Sequence, residues 1–71
     1  MNSIKTVRES AGIKQVALYS ALKWPQSRLS NYENGIRTPS LNDAREIVAA
    51  LNELGAACTL DDVFPVSQSV A

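Results

Sequence analysis

Residues 15–35 read QVALYSALKWPQSRLSNYENG, and this stretch decides the fold. Its first part predicts a helix over about residues 15–22. Leu18, Ala21 and Leu22 fall on one helical face there, because residues three and four apart lie above one another on a helix. Lys14, which precedes this helix, is a poor capping residue. The first part of the stretch is therefore a short amphipathic helix without a strong cap.

The second part of the stretch predicts another helix, over about residues 26–34. Leu29 and Tyr32 lie three residues apart and point one way, while polar side chains cover the rest of the surface. Pro25 favours the start of this helix. N–H groups in the first turn of a helix have no partner within the helix, so a proline there loses nothing by lacking its N–H. The pair Asn34-Gly35 is a strong stop signal. Two short helices are thus joined by a tight turn.

The flanking sequence extends the helical pattern in both directions. A first helix is predicted over about residues 4–11, with Asn2 or Ser3 as its cap and Gly12 ending it in a left-handed conformation. A fourth helix, over about residues 41–54, is capped by Ser40. Six apolar residues follow its helical period: Leu41, Ala44, Ile47, Val48, Leu51 and Leu54.

A short fifth helix is predicted through Val63 and Phe64, and it stops at Pro65. Thr59 and Asp62 resemble a capping box at its start, with aspartate in place of the usual glutamate. We therefore expect one all-α domain of five helices over residues 1–65 and a frayed tail over residues 66–71. A chain of 71 residues has room for only one small core.

The composition excludes several kinds of site. The chain has no histidine and one cysteine, Cys58, so a zinc site of the Cys/His type, an intrachain disulfide and histidine-dependent nucleophilic catalysis are all excluded. We expect Cys58 to be a small, partly buried apolar residue rather than a reactive thiol. No apolar run approaches the length of a membrane span or of a signal peptide. The expectation is a cytoplasmic protein with no membrane partner, metal or cofactor.

The zero net charge hides an uneven distribution. Residues 1–40 carry six lysines and arginines against two glutamates, whereas residues 41–71 carry one arginine against five acidic residues. Such asymmetry favours a polyanion-binding face in the first part of the chain. Four of these cations are either solvated surface charges or phosphate contacts: Lys5, Arg8, Lys14 and Lys23.

The stretch 15–35 resembles the helix-turn-helix of the lambda repressor and Cro family, and the resemblance covers roughly residues 4–64. Its most specific parts are Gln15, the pair Gln26-Ser27 and the run 29–35. Arg37-Thr38-Pro39-Ser40-Leu41 is similar to that family's usual entry to helix four.

Two positions depart from the family pattern. Tyr19 stands where the family usually has a small residue, and Lys23 stands where it usually has a glycine. Tyr19 is expected to widen the helix crossing or to turn outward. Lys23 must adopt the φ angle of the turn, and a positive φ costs a residue with a Cβ about 1 kcal/mol. We expect Trp24 to pack over this turn.

The resemblance implies that the third helix enters the major groove of DNA. A glutamine amide matches the N6/N7 edge of adenine, and an arginine matches O6/N7 of guanine. The implied base-contacting residues are Gln26, Ser27, Arg28 and Asn31. The implied backbone-contacting residues are Gln15, Lys14, Lys23, Ser30, Asn34 and Arg37. Gln15 would also brace Gln26, and Glu33 is expected to turn away from DNA toward a basic group.

The function implied is a sequence-specific transcriptional regulator of double-stranded DNA, of the kind that a phage or prophage Cro repressor represents. It would act at the nucleoid of a bacterial host, without a small-molecule ligand, as a homodimer on a pseudo-palindromic operator. The expected dimer surface is small, so the dimer is expected to be weak without DNA. Its residues are Leu54, Ala57, Leu60, Val63 and Phe64.

Two alternatives remain open at this point. An antitoxin or a restriction-system controller shares the fold and also binds operators. A protein-interaction module that has lost DNA binding agrees with the neutral net charge, but the polar face of the third helix argues against it. An enzyme is disfavoured because no nucleophile and base pair stands out in the sequence.

Overall fold

The computed structural model of the chain describes residues 2–65, which form five helices. In chain order they are α1 (Ile4–Ser10), α2 (Gln15–Leu22), α3 (Gln26–Glu33), α4 (Leu41–Glu53) and α5 (Leu60–Val63). The prediction of an all-α fold with five helices is confirmed. The first four helices begin at the predicted residue, and α1, α3, α4 and α5 end one residue before the predicted end. The predicted frayed tail, residues 66–71, lies outside the described residues.

The capping side chains that the sequence indicated are present at the starts of α4 and α5. Ser40 Oγ accepts a hydrogen bond from the backbone N–H of Asp43 at 3.1 Å. Thr59 and Asp62 form a reciprocal capping box, with bonds of 3.2 and 2.9 Å. At α1 the N-cap residue is Ser3, whose side chain makes no capping bond, and the preceding Asn2 accepts through its Oδ1 from the N–H of Ile4 at 3.1 Å. These bonds satisfy N–H groups that the first turn of a helix leaves unpaired.

The core lies where all five helices meet. Its largest fully buried side chains come one or two from each helix: Ile4, Leu18, Leu29, Ile47, Leu51 and Val63. The apolar stripe predicted along α4 is buried only in its middle, because Leu41 is 58% exposed and Leu54 is 37% exposed. Periodicity identifies the inward face of a helix, but within residues 2–65 the two ends of this face are left exposed.

The start of the chain is tied to distant elements. The backbone N–H of Ser3 donates to the carbonyl of Val63 at 2.7 Å, which joins α1 to α5. The Asn2 side-chain amide donates to the carbonyl of Tyr32 at 2.7 Å, at the end of α3. The second of these bonds ties the start of the chain to the C-terminal end of α3.

The turn between α2 and α3 depends on a left-handed lysine. Lys23 has φ 60° and ψ 37°, the only positive φ of a non-glycine residue in the described chain. The turn then directs Trp24 into the core, where the residue is 9% exposed and its backbone N–H donates to the Tyr19 carbonyl at 3.0 Å. Trp24 packs over the turn as expected. Tyr19 is half-buried against the core, so it does not turn fully outward.

Lys23→Gly is expected to raise the free energy of unfolding by about 1 kcal/mol, because glycine adopts a positive φ without the Cβ clash. Urea denaturation followed by circular dichroism measures the change. Lys23→Ala controls for the lost charge and is expected to gain nothing. Ser20→Gly, at an exposed helical position of α2, is expected to lose about 0.5–1 kcal/mol. Equal stability of the glycine and alanine variants at position 23 would contradict the left-handed turn.

Candidate nucleic-acid interface

A buried ion pair lies beneath the interface. Arg8 Nε is 2.9 Å from Glu33 Oε2, and Arg8 Nη2 donates to Glu33 Oε1 at 3.2 Å, so the pairing is bidentate. Arg8 Nη1 donates to the carbonyl of Ile13 at 3.0 Å. The side chains of Arg8 and Glu33 are only 8% and 2% exposed. The prediction that Glu33 turns toward a basic group is confirmed.

Arg8 itself corrects an expectation, because it is neither a solvated charge nor available to a phosphate. The sequence did contain a signal for its burial. Arg8 lies four residues after the fully buried Ile4, and residues four apart share one face of a helix. A buried charge needs a partner, and Glu33 is the partner that satisfies it.

A chain of amide hydrogen bonds runs from this ion pair to the surface. Gln15 Nε2 donates to Glu33 Oε1 at 3.1 Å, and Gln26 Nε2 donates to Gln15 Oε1 at 3.2 Å. Gln15 is half-buried at the start of α2, whereas Gln26 is exposed at the start of α3. The bond between Gln15 and Gln26 is the contact that the resemblance implied. It leaves the Gln26 Oε1 and one amide hydrogen free for another partner.

The polar face of α3 is the surface that these contacts support. Gln26, Ser27 and Arg28 are exposed along its first turn, and Ser30 and Asn31 are half-buried further along. The Asn34 amide donates to Ser30 Oγ at 3.2 Å. Gln26 and Ser30 are thus held by Gln15 and Asn34, and all five side chains offer donors or acceptors of the kind that recognise base edges.

Arg28 is held on the side of α3 that faces α4. Its Nη2 donates to Asp43 Oδ2 at 2.7 Å, and its guanidinium carbon lies 4.1 Å from the centre of the Trp24 ring. The Tyr32 hydroxyl donates to the same Asp43 oxygen at 2.8 Å, and the Trp24 and Tyr32 rings meet edge to face. The resemblance implied a base-contacting Arg28 and gave no indication of its partner Asp43, which lies 15 positions away in the chain.

The ion pair changes the ionisation of both members. The hydrogen bond from Arg28, followed by that from Tyr32, lowers the pKa of the Asp43 carboxyl, while the same ion pair raises the pKa of Arg28. Both groups are therefore charged at neutral pH. The position of Asp43 in the first turn of α4 also favours its charged form, because the N-terminus of a helix stabilises a carboxylate.

Cys58 lies away from this surface, in the connection between α4 and α5. It is half-buried, and Asn52 holds its backbone through bonds to the Cys58 N–H and carbonyl at 3.2 and 2.8 Å. Burial, with a smaller contribution from Asp62, raises the pKa of the thiol. A raised pKa disfavours the thiolate, so Cys58 has the character of a packed apolar residue.

The residues proposed for DNA backbone contact surround α3. Lys14 and Lys23 are exposed at the two ends of α2, and Asn34 and Arg37 are exposed after α3. The N–H of Arg37 donates to the carbonyl of Asn31 at 3.2 Å, which fixes the loop against α3. Four polar or positively charged side chains are thus exposed close to the ends of α2 and α3.

The five residues expected at a dimer surface separate into two groups. Leu54 and Ala57 are exposed, and Leu60 and Phe64 are half-buried. Val63 is fully buried in the core of the chain itself, so it has no surface to offer a partner. The sequence interpretation assigned Val63 to the wrong set because a four-residue helix gives too little periodicity to separate its inner from its outer face.

A family model described as helix-turn-helix matches residues 4–55 of this chain. The chain therefore belongs to the Xre-like helix-turn-helix family, the family of lambda repressor and Cro, whose members are DNA-binding transcription regulators and not enzymes. Among curated proteins, none matches the chain closely enough to count as a relative. Within residues 2–65, no helix has the length and apolar character needed to cross a lipid bilayer.

Proposed function

We propose that the protein is a Cro-like repressor that binds a pseudo-palindromic DNA operator as a dimer, with α3 in the major groove. The observation that carries the proposal is the exposed first turn of α3, where Gln26 is braced by Gln15. In this arrangement Gln26 contacts an adenine edge, and Ser27 and Asn31 contact neighbouring bases. Arg28 is expected close to the DNA, with its guanidinium bonded to Asp43.

The proposed backbone contacts flank that face. Lys14, Lys23 and Arg37 supply positive charge, and Gln15, Ser30 and Asn34 supply hydrogen bonds to phosphate oxygens. Backbone contacts of this kind fix the register of a protein on the duplex, while the side chains at the groove floor select the sequence. The acidic residues of the C-terminal part keep other surfaces off the DNA.

The proposed dimer is weak without DNA. Leu54, Ala57, Leu60 and Phe64 expose only a small apolar area, whereas a standard interface buries about 800 Å² on each partner. Two copies of the chain bind DNA more tightly as a pair when the two half-sites of the operator are about one turn of the DNA helix apart. A dimer that forms mainly on the operator is consistent with this surface.

Selection of bound duplexes from a random DNA pool tests the proposed function. We expect enrichment of a pseudo-palindrome whose half-sites are about 10 base pairs apart, centre to centre. Sequence preference without symmetry would contradict the dimer alone. A pool that shows no enrichment would contradict the regulator and would favour a protein-interaction module.

Binding to DNA is expected to weaken steeply with salt despite the zero net charge of the chain. Each phosphate that a cation neutralises adds about 0.9 to the slope of log affinity against log salt concentration. Fluorescence anisotropy of a labelled duplex across a salt series measures this slope. A flat dependence would contradict the proposed cluster of cations around α3.

A further inference from the structure

A polar concavity of about 420 Å³ lies between α3 and the loop that leads to α4. Its lining consists of five side chains: Ser27, Arg28, Asn31, Tyr32 and Arg37. Two of these are guanidinium groups and the other three are neutral hydrogen-bonding groups. Two arginines with a hydroxyl and an amide make a set of donors that suits a phosphate.

The guanidinium of Arg28 is fixed before any ligand arrives. Asp43 bonds one of its terminal nitrogens and the Trp24 ring covers one of its faces. Asp43 is itself fixed, since the Tyr32 hydroxyl donates to it and Ser40 bonds its backbone N–H. A guanidinium has five N–H donors. Within residues 2–65, Nη2 is the only Arg28 nitrogen that makes a side-chain hydrogen bond. The N–H groups of Arg28 Nε and Nη1 are therefore available to a ligand.

Helical geometry places Arg28 at the edge of the interface rather than at its centre. Successive residues of a helix are about 100° apart, so Arg28 is rotated from Ser27 toward α4 by that angle. Ser27 occupies the centre of the exposed face with Asn31 beside it, and Ser30 lies toward the flank away from α4. Arg28 lies on the flank toward α4, with Arg37 across the concavity. A helix lying in the major groove presents its centre to the bases and its flanks to the backbones on either side.

We propose that the concavity between Arg28 and Arg37 binds one phosphate of the DNA backbone, and that Asp43 is the positioning residue that sets Arg28 for this contact. The inference rests on the proposed DNA-binding function and assigns Arg28 to the backbone rather than to a base. Asp43 has a second effect, because its carboxylate lies close to the DNA surface. Arg28 neutralises that carboxylate, which otherwise repels the phosphate.

The test compares variants of the full chain on two probes, the selected operator duplex and a random-sequence duplex of equal length. Arg28→Ala is expected to weaken binding to both about tenfold and to lower the salt slope by about 1 per subunit. Base preferences, measured with single-base operator variants, are expected to stay unchanged. Loss of a base preference with unaltered binding to the random duplex would overturn the phosphate assignment in favour of a guanine contact.

The role of Asp43 is tested by a sign reversal. Asp43→Ala in the wild-type background is expected to weaken binding several-fold, because Arg28 loses its fixed position. In the Arg28→Ala background the same change is expected to strengthen binding, because it removes an unneutralised carboxylate. If Asp43 had a merely structural role, Asp43→Ala would weaken DNA binding equally in the wild-type and Arg28→Ala backgrounds. Asp43→Ala that strengthens binding in the wild-type background would overturn the proposal, since Asp43 would then compete with DNA for Arg28.

Two further variants keep the test decisive. Asp43→Asn is expected to retain most of the affinity, since its amide oxygen still accepts from Arg28, and it also serves if the alanine variant does not fold. Glu46→Ala removes the same charge from an exposed position of α4 and is expected not to weaken binding. A wild-type chain that binds neither duplex would contradict the proposed function. A wild-type chain that binds, with Arg28 and Asp43 variants unaffected, would contradict this inference alone.

Discussion

Arg8→Met is expected to lower the free energy of unfolding by about 3–5 kcal/mol, because it leaves the Glu33 carboxylate buried without its counter-charge. Glu33 is 2% exposed and accepts two hydrogen bonds from Arg8, so water cannot replace the guanidinium without opening the core. Methionine keeps the length and apolar stem of the side chain. A chain of 71 residues has a total stability of roughly 4–10 kcal/mol. The single change therefore removes a large part of it.

Urea denaturation followed by circular dichroism measures this loss, and a double variant separates its cause. Arg8→Met combined with Glu33→Leu is expected to recover most of the stability, because an apolar pair of similar volume carries no desolvation cost. Lys5→Met, at an exposed position of the same helix, is expected to change stability by less than about 0.5 kcal/mol. A loss below about 1 kcal/mol for Arg8→Met would mean that Glu33 is hydrated and the pair is not buried.

Local signals in the sequence were sufficient to predict the helices. Ser40, Thr59 and Asp62 act within one helical turn of themselves, so their capping bonds follow from short-range spacing. Gly12 and Gly35 have φ angles of 72° and 75°, in the left-handed region that their positions after helices required. The polar first turn of α3 could be identified in the same way.

The contacts that the sequence did not indicate are those between distant residues. Arg8 and Glu33 are 25 positions apart and Arg28 and Asp43 are 15 apart. No periodicity specifies which of several charged residues will meet. The exposure of Leu41 was missed for the same reason. A helical pattern predicts which way a side chain points, but it does not predict whether another element packs against that side chain. Within the candidate site, the bond between Gln15 and Gln26 was expected from the family resemblance. The specific ion pairs Arg8–Glu33 and Arg28–Asp43 were not.

Gln26→Ala and Arg37→Ala are both expected to weaken operator binding, but in different ways. Gln26 is exposed at the start of α3 and braced by Gln15, so its loss is expected to cost about 1–3 kcal/mol of binding free energy. The base preference should relax at one symmetric pair of operator positions. Arg37 follows α3 in a loop, where the DNA backbone is the nearest part of the duplex. Its loss should weaken all sequences about equally and lower the salt slope by about 1 per subunit.

The measurement is the affinity of each variant for a panel of single-base operator variants, repeated at several salt concentrations. Thr38→Ala, which alters the exposed neighbour of Arg37 without changing charge, should leave both the base preferences and the salt slope as they are. Circular dichroism confirms that each variant is folded, which matters because Gln26 is connected through Gln15 to the buried Glu33. Unchanged base preferences in Gln26→Ala, together with altered preferences in Arg37→Ala, would show that α3 does not lie in the major groove in this register. The loop after α3 would then be the part of the chain that reads the sequence, and the polar first turn of α3 would contact only the backbone.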